Sequence, residues 1–171
     1  MKGYIQVYTG KGKGKTTAAF GLALRAAGRG LRVFIGQFCK KRICGEHKAL
    51  KKFSDYIIIK RYGTGKFITG KPSGKDIRTA LRGLHETAAA IISGKYGVVI
   101  LDEINTAINL CLISADDLIS IMDSKPDNVE LVLTGRGANK KIIARADLVT
   151  EMREIKHYYG KGVKARKGIE Y

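Results

Sequence analysis

Acidic residues are scarce in this chain. Of its 171 residues only 15 are Asp or Glu against 32 Lys or Arg, a formal net charge of +17. Its partners are therefore expected to be anionic: nucleotide phosphates, nucleic acid or an acidic protein surface. Tryptophan is absent and proline occurs only twice, at Pro72 and Pro126. Three cysteines, Cys39, Cys44 and Cys111, come without a second cysteine pair or clustered histidines, which argues against a disulfide framework and against a structural zinc site. No apolar run approaches the ~20 residues that span a bilayer. The start, Met1-Lys2-Gly3, leads straight into a strand-like stretch with no signal-peptide core. These absences predict a cytoplasmic protein with reduced thiols and no membrane partner. With 44% apolar residues the chain has the means to build a core, and residues 1–171 are read as a single domain.

Short Val- and Ile-rich runs alternate with longer segments of helical period. That pattern predicts an α/β fold, a mostly parallel six-stranded sheet with helices on both faces. The strand candidates are 4–8, 31–38, 56–60, 97–102, 130–134 and 148–153, and the helix candidates 16–27, 77–93, 115–123 and 138–144. Gly28 and Gly30 stop the first helix. Ser114, followed by Ala115-Asp116-Asp117, is an N-cap with acids in the first turn. Residues 39–53 and 62–75 lack clear periodicity and are read as long loops of functional interest.

The densest chemical signal is Thr9-Gly10-Lys11-Gly12-Lys13-Gly14-Lys15-Thr16-Thr17, between an apolar strand and an Ala-rich helix. Strand, glycine loop and helix together make a phosphate cradle: glycines let backbone N–H groups turn inward, the helix N-terminus adds its dipole, Lys15 supplies charge and the Thr16 hydroxyl suits Mg²⁺. The loop departs from G-x-x-x-x-G-K-[ST], because Thr9 stands where the first Gly belongs. Its companion is Val98-Val99-Ile100-Leu101-Asp102-Glu103, a buried-strand run ending in two acids. Parallel strands deliver such acids to the edge that carries the loop, so Thr16 with Asp102 or Glu103 forms a candidate divalent-metal set. The whole reads as a P-loop NTPase of RecA-like fold. That fold serves many reactions, and a nucleic-acid-dependent ATPase and a small-molecule kinase both remain open at this level. No stripe of basic and aromatic residues for base stacking is evident, so no nucleic-acid partner is expected.

More specific are several motifs in sequence order. The glycine loop continues into Ala18-Ala19-Phe20-Gly21; Arg32-Val33-Phe34-Ile35-Gly36-Gln37-Phe38-Cys39-Lys40, Leu101-Asp102-Glu103 and Thr134-Gly135-Arg136-Gly137 follow. The chain ends in Lys156-His157 and Gly162-Val163-Lys164-Ala165-Arg166-Lys167-Gly168-Ile169-Glu170-Tyr171. Over nearly its whole length the sequence resembles the P-loop ATP:corrinoid adenosyltransferases.

The resemblance implies transfer of the 5′-deoxyadenosyl group of ATP to the cobalt(I) of a reduced corrinoid, with release of triphosphate, in adenosylcobalamin biosynthesis or salvage. Cobalt(I) is then the nucleophile, so no Ser-His-Asp triad is needed, and none is evident among His47, His85 and His157. It further implies that Gly10 to Thr16 wrap the triphosphate in the opposite sense from most P-loop proteins, and that Glu103 and Thr16 help hold Mg²⁺ or Mn²⁺. Arg136 becomes a phosphate contact and His157 a group near the nucleoside. Phe67 aligns with a corrinoid-facing phenylalanine whose expected effect is to displace cobalt's lower axial ligand. The second aromatic of the family's Phe-Thr-Trp type stretch is missing from Gly63-Thr64-Gly65-Lys66-Phe67-Ile68-Thr69. The expected partners are ATP, the corrinoid, a reduced flavoprotein electron donor facing the basic residues between Lys40 and Lys52, and a second copy of the chain in a homodimer.

Overall fold

A computed structural model of the protein describes residues 2–65 and 68–170. All six expected strands form: β1 (Ile5–Thr9), β2 (Val33–Phe38), β3 (Ile57–Tyr62), β4 (Val98–Asp102), β5 (Glu130–Thr134) and β6 (Leu148–Glu151). They pair in the order β3-β2-β4-β5-β1-β6, and every pairing is parallel. The helices are α1 (Lys15–Ala27), α2 (Gly45–Leu50), α3 (Gly74–Ile92), α4 (Ile104–Asn109), α5 (Ala115–Asp123) and α6 (Lys140–Arg145). Among the described residues no helix is long and apolar enough to cross a membrane.

The two-residue period of a strand divides the core. Val33, Ile35, Val98, Ile100 and Val132 face α1 and α2, packing on Ala19, Phe20, Ala23 and Leu50. Phe34, Phe38, Val99, Leu101, Leu131 and Leu133 face the opposite way, toward Leu84, Ile91, Ile104, Leu118 and Ile142 from α3 to α6. Both faces of β2 and β4 are thus covered, and every residue of those strands is buried. Gly83 brings α3 hard against β3, since a Cβ there would lie 2.4 Å from the Tyr62 ring.

Local signals explain the helix ends. Gly28 caps α1, and Gly30 follows with φ of 78°. The Ser114 side chain accepts from the Asp117 N–H, and the Ser73 side chain from the Asp76 N–H. Two short helices escaped the sequence pattern. Helix α2 lies inside residues 39–53, which had been expected to be a loop; six residues with Leu50 alone buried leave no apolar period to detect. Helix α4 continues directly from the apolar run of β4, so nothing in composition marks its start.

Candidate active site

Parallel connections bring the C-terminal ends of β1, β2, β4 and β5 to one edge, and the candidate residues gather there. The loop between β1 and α1 relies on glycine at defined points. Gly10 and Gly14 have φ of 97° and 112°, in the left-handed region. A Cβ on Gly10 would sit 2.4 Å from the Met152 carbonyl oxygen, because the end of β6 braces the loop from outside. Gly12 donates its N–H to that carbonyl at 2.7 Å. Thr9, the departure from the usual loop pattern, accepts from the Ala138 N–H at 3.1 Å. It ties the loop to the turn that carries Arg136.

Lys15 is buried and folds back on its own loop, donating to the carbonyls of Gly10 and Gly12 at 2.9 and 2.7 Å. Burial pushes its ammonium below the ordinary lysine value; Glu103 and Asp102 oppose that shift and Arg136 adds to it. Thr16 donates its hydroxyl to Asp102 Oδ1 at 2.9 Å. The hydroxyl proton is thereby committed, and the oxygen lone pairs are left for a cation.

Asp102 has no exposed surface. Its Oδ1 also accepts from the Thr134 hydroxyl at 2.7 Å, and its Oδ2 from Gln37 Nε2 at 2.8 Å. The register explains this cluster, for Gln37 lies directly opposite Asp102 across the β2–β4 ladder. Both point to the same sheet face as Thr16. Glu103 follows with φ of 62°, a left-handed conformation that costs a non-glycine residue on the order of 1 kcal/mol or more. This turn presents the Glu103 N–H to Thr134 Oγ1 at 2.9 Å, while its carboxylate accepts from the Thr106 hydroxyl.

A cavity of about 320 Å³ joins Lys11, Gly12, Lys13, Gly14, Lys15, Thr16 and Thr17 to Glu103, Arg136 and His157. All of these were expected at the site from the sequence. Thr9 and Gly10 line an adjoining cavity of about 960 Å³, which shares Lys11 and Arg136 with the first and extends to Ile143 and Val149. Arg136 is exposed, in a turn held by Asn109 Nδ2 on its carbonyl at 2.8 Å. His157 caps the turn Tyr158–Lys161, accepting from the Tyr159 N–H. Phe67 lies outside the described residues.

The sequence reading missed other members of the site. Glu170 lines the same cavity, pairing with Lys13 at 2.9 Å and with Arg166. The Tyr158 hydroxyl donates to the same carboxylate. Gln37 was missed too, although a glutamine inside an otherwise apolar, fully buried strand is a visible signal. Lys40 and Glu46 reach the cavity from the segment read as a loop.

Thr16 Oγ1 and the Glu103 carboxylate are hard oxygen donors that fit Mg²⁺ or Mn²⁺, whereas Asp102, expected as a further ligand, has no exposed surface and backs the Thr16 hydroxyl instead. Three loop lysines, Lys11, Lys13 and Lys15, and Arg136 line the same cavity. Such an arrangement can hold a polyphosphate and stabilise negative charge developing on it.

Across residues 1–171 the chain matches the family described as ATP:corrinoid adenosyltransferase BtuR/CobO/CobP. It is 33% identical over 171 residues to a corrinoid adenosyltransferase of Pseudomonas aeruginosa, covering 99% of this chain and 84% of that protein. Over 173 residues it is 36% identical to a corrinoid adenosyltransferase of a Sinorhizobium species, covering 99% and 81%. The Escherichia coli K12 corrinoid adenosyltransferase shares 33% over 172 residues, covering 99% and 86%.

Proposed function

The chain belongs to the ATP:corrinoid adenosyltransferase family, and from that premise we propose how its own residues divide the work of moving the 5′-deoxyadenosyl group of ATP to the cobalt of a reduced corrinoid. The observation that carries this reading is the convergence of the glycine loop, Lys15, Thr16, Glu103, Arg136 and His157 on one cavity. A nucleic-acid ATPase or a small-molecule kinase is not favoured by the relatives.

The triphosphate is the leaving group, so the chain's task is to bind it more tightly as the C5′–O bond breaks. Lys15 exchanges the carbonyls of Gly10 and Gly12 for phosphate oxygens, loop N–H groups other than that of Gly12, which is held by Met152, turn to the phosphates, and the N-terminus of α1 adds its dipole. Arg136 and Lys13 neutralise charge at the cavity rim. Thr16 and Glu103 hold the divalent cation, and Asp102, without exposed surface, acts on it through the Thr16 hydroxyl. When bound, that cation would screen the negative charge of the triphosphate. The nucleotide lies in the sense opposite to that of most P-loop proteins, with His157 near the nucleoside. No side chain needs to act as a base, because the reduced cobalt is itself the nucleophile and both C5′ hydrogens stay in place as the C–O bond breaks.

Phe67 serves the corrinoid side, excluding cobalt's lower ligand and making the low-potential reduction easier. A reduced flavoprotein docks on the basic residues between Lys40 and Lys52, and the working unit is a homodimer in the cytoplasm. The test is product analysis after incubation with ATP, Mg²⁺, a reductant and a cobalt(II) corrinoid. Equal amounts of adenosylated corrinoid and triphosphate are expected. Release of ADP, or of phosphate without corrinoid modification, refutes the reading.

A further inference from the structure

Behind the buried carboxylate runs a chain of hydrogen bonds whose direction is fixed at every step. His47, in α2, accepts the Cys44 backbone N–H at its Nδ1, 3.0 Å away. A backbone N–H can only donate, so the proton of the neutral ring sits on Nε2. That nitrogen lies 2.5 Å from Gln37 Oε1. With its oxygen engaged, Gln37 turns Nε2 to Asp102 Oδ2 at 2.8 Å. Oδ1 is left to accept from Thr16 and Thr134, and Thr16 in turn offers only lone pairs to a ligand in the cavity. Reversing the link between Gln37 and Asp102, neither of which has exposed surface, sets donor against donor with no solvent to relieve it.

We propose that His47 is a positioning residue for the metal–triphosphate site: acting through Gln37, it fixes the orientation of the Asp102 carboxylate and hence of the Thr16 hydroxyl. The proposal rests on the nucleotide-binding reading above but needs no corrinoid chemistry. Its surroundings suit the role. Burial, with Arg61 of β3 and Lys40 of the preceding loop, holds the ring below the ordinary histidine value; Glu46 and the Cys44 contact oppose them. Both ring nitrogens are engaged. Cys44, Glu46 and His47 come within metal-binding distance of one another, yet the ring has no lone pair left for an ion. Nothing in the mechanism otherwise uses Gln37, a fully buried amide on the central strands.

A narrower reading exists, in which His47 merely closes the capping box of α2 with Cys44. Two substitutions separate the two. Asn places an acceptor near the Nδ1 position and keeps the cap but does not reach Gln37. Gln places an N–H near the Nε2 position, keeping the link to Gln37 and losing the cap. Binding of a fluorescent ATP analogue is titrated with Mg²⁺, without corrinoid, and thermal melts are recorded beside it. His47→Asn is expected to raise the half-saturating Mg²⁺ concentration roughly tenfold, the lower end of what losing a ligand-orienting partner costs a metal site, with little change in Tm. His47→Gln is expected to lower the Tm and leave the Mg²⁺ curve in place.

A His47→Asn curve that overlays the parent overturns the proposal, as does an equal shift in both variants. Long-range ¹H–¹⁵N correlation on the unmodified protein gives a second measurement that needs no variant to fold: the Nε2–H tautomer of His47 is expected, and the Nδ1–H tautomer overturns it. If the parent binds the Mg²⁺–nucleotide but never modifies a corrinoid, the functional reading fails, while the titrations still decide the relay.

Discussion

Replacing Asp102 by Asn changes one atom of the buried network and leaves its volume alone. The amide can keep its oxygen toward the hydroxyls of Thr16 and Thr134, which lie 2.9 and 2.7 Å from Oδ1. Its NH₂ group then meets Gln37 Nε2, 2.8 Å from Oδ2, and two donors face each other. A Gln37 flip relieves this clash only by presenting an NH₂ to the His47 Nε2–H, and His47 cannot change tautomer while it accepts from Cys44. An unpaired buried donor costs about 1–3 kcal/mol. The two hydroxyl bonds also lose their charge assistance, roughly half their strength, while removal of a buried charge offsets part of the sum. A net loss of about 3 kcal/mol lowers the Tm by roughly 6–12 °C in a chain of this length. Thermal melts of Asp102→Asn without nucleotide test the stability, and Mg²⁺ titrations of ATP binding test the site. A Tm within about 2 °C of the parent, together with an unchanged Mg²⁺ requirement, refutes the argument that Asp102 organises the cluster as a charged triple acceptor.

Lys15→Ala is expected to abolish adenosylation and weaken ATP binding by roughly a hundredfold, since no other lysine or arginine among the described residues is buried at the loop to take its place on the phosphates; unchanged nucleotide affinity by calorimetry removes the phosphate-loop assignment. Phe67→Ala is expected to slow the reaction that starts from cobalt(II) while pre-reduced cobalt(I) restores most of the rate, and equal losses in paired initial rates mean that Phe67 serves general pocket geometry. The Tyr158 hydroxyl, then Arg166 and Lys13, hold the Glu170 carboxyl far below its ordinary value of 4.5. A depressed folded value means the stabilisation is present above that ordinary value and is lost as pH falls through the folded one. Glu170→Gln is therefore expected to flatten the fall of Tm on acidification, and superimposable Tm-versus-pH curves contradict it.

Strands were readable in this sequence because they are central and parallel. Val98 to Leu101 and Val33 to Phe38 are covered on both faces, so they appear as unbroken apolar runs that no amphipathic helix of that length would show. Even β6, an exposed edge strand with no buried residue, was visible from its Leu-Val-Thr content. Helices of six residues were not. Helix α2 buries Leu50 alone, and its His47 reaches outside the helix to Gln37. A local period has nothing to say about a side chain whose partner is ten residues back on a neighbouring strand.

The site divides along the same line. Residues proposed to touch phosphate are adjacent in sequence because one loop must wrap one group, so Gly10 to Thr17 declare themselves; Asp102-Glu103 is marked by the strand it ends. What holds those residues in place is dispersed. Thr134 comes from β5, Gln37 from β2, and Glu170 from the last turn of the described chain. Of these, only Gln37 carries a signal on its own, as the single polar side chain in a strand where every position is buried. Such a residue needs a partner on each polar atom, and strand register offers three places to look: the facing residue on each of the two neighbouring strands, and the helix covering that face. Across the ladder stands Asp102, already suspected as a metal-site acid. The covering helix is the one hidden in the loop after β2, and the histidine three residues into it supplies the second partner. Arg61, opposite on β3, gives its guanidinium to the Lys41 carbonyl instead, so the oxygen of a glutamine beside a buried acid is met by an element returning over β2, a helix that propensity does not show.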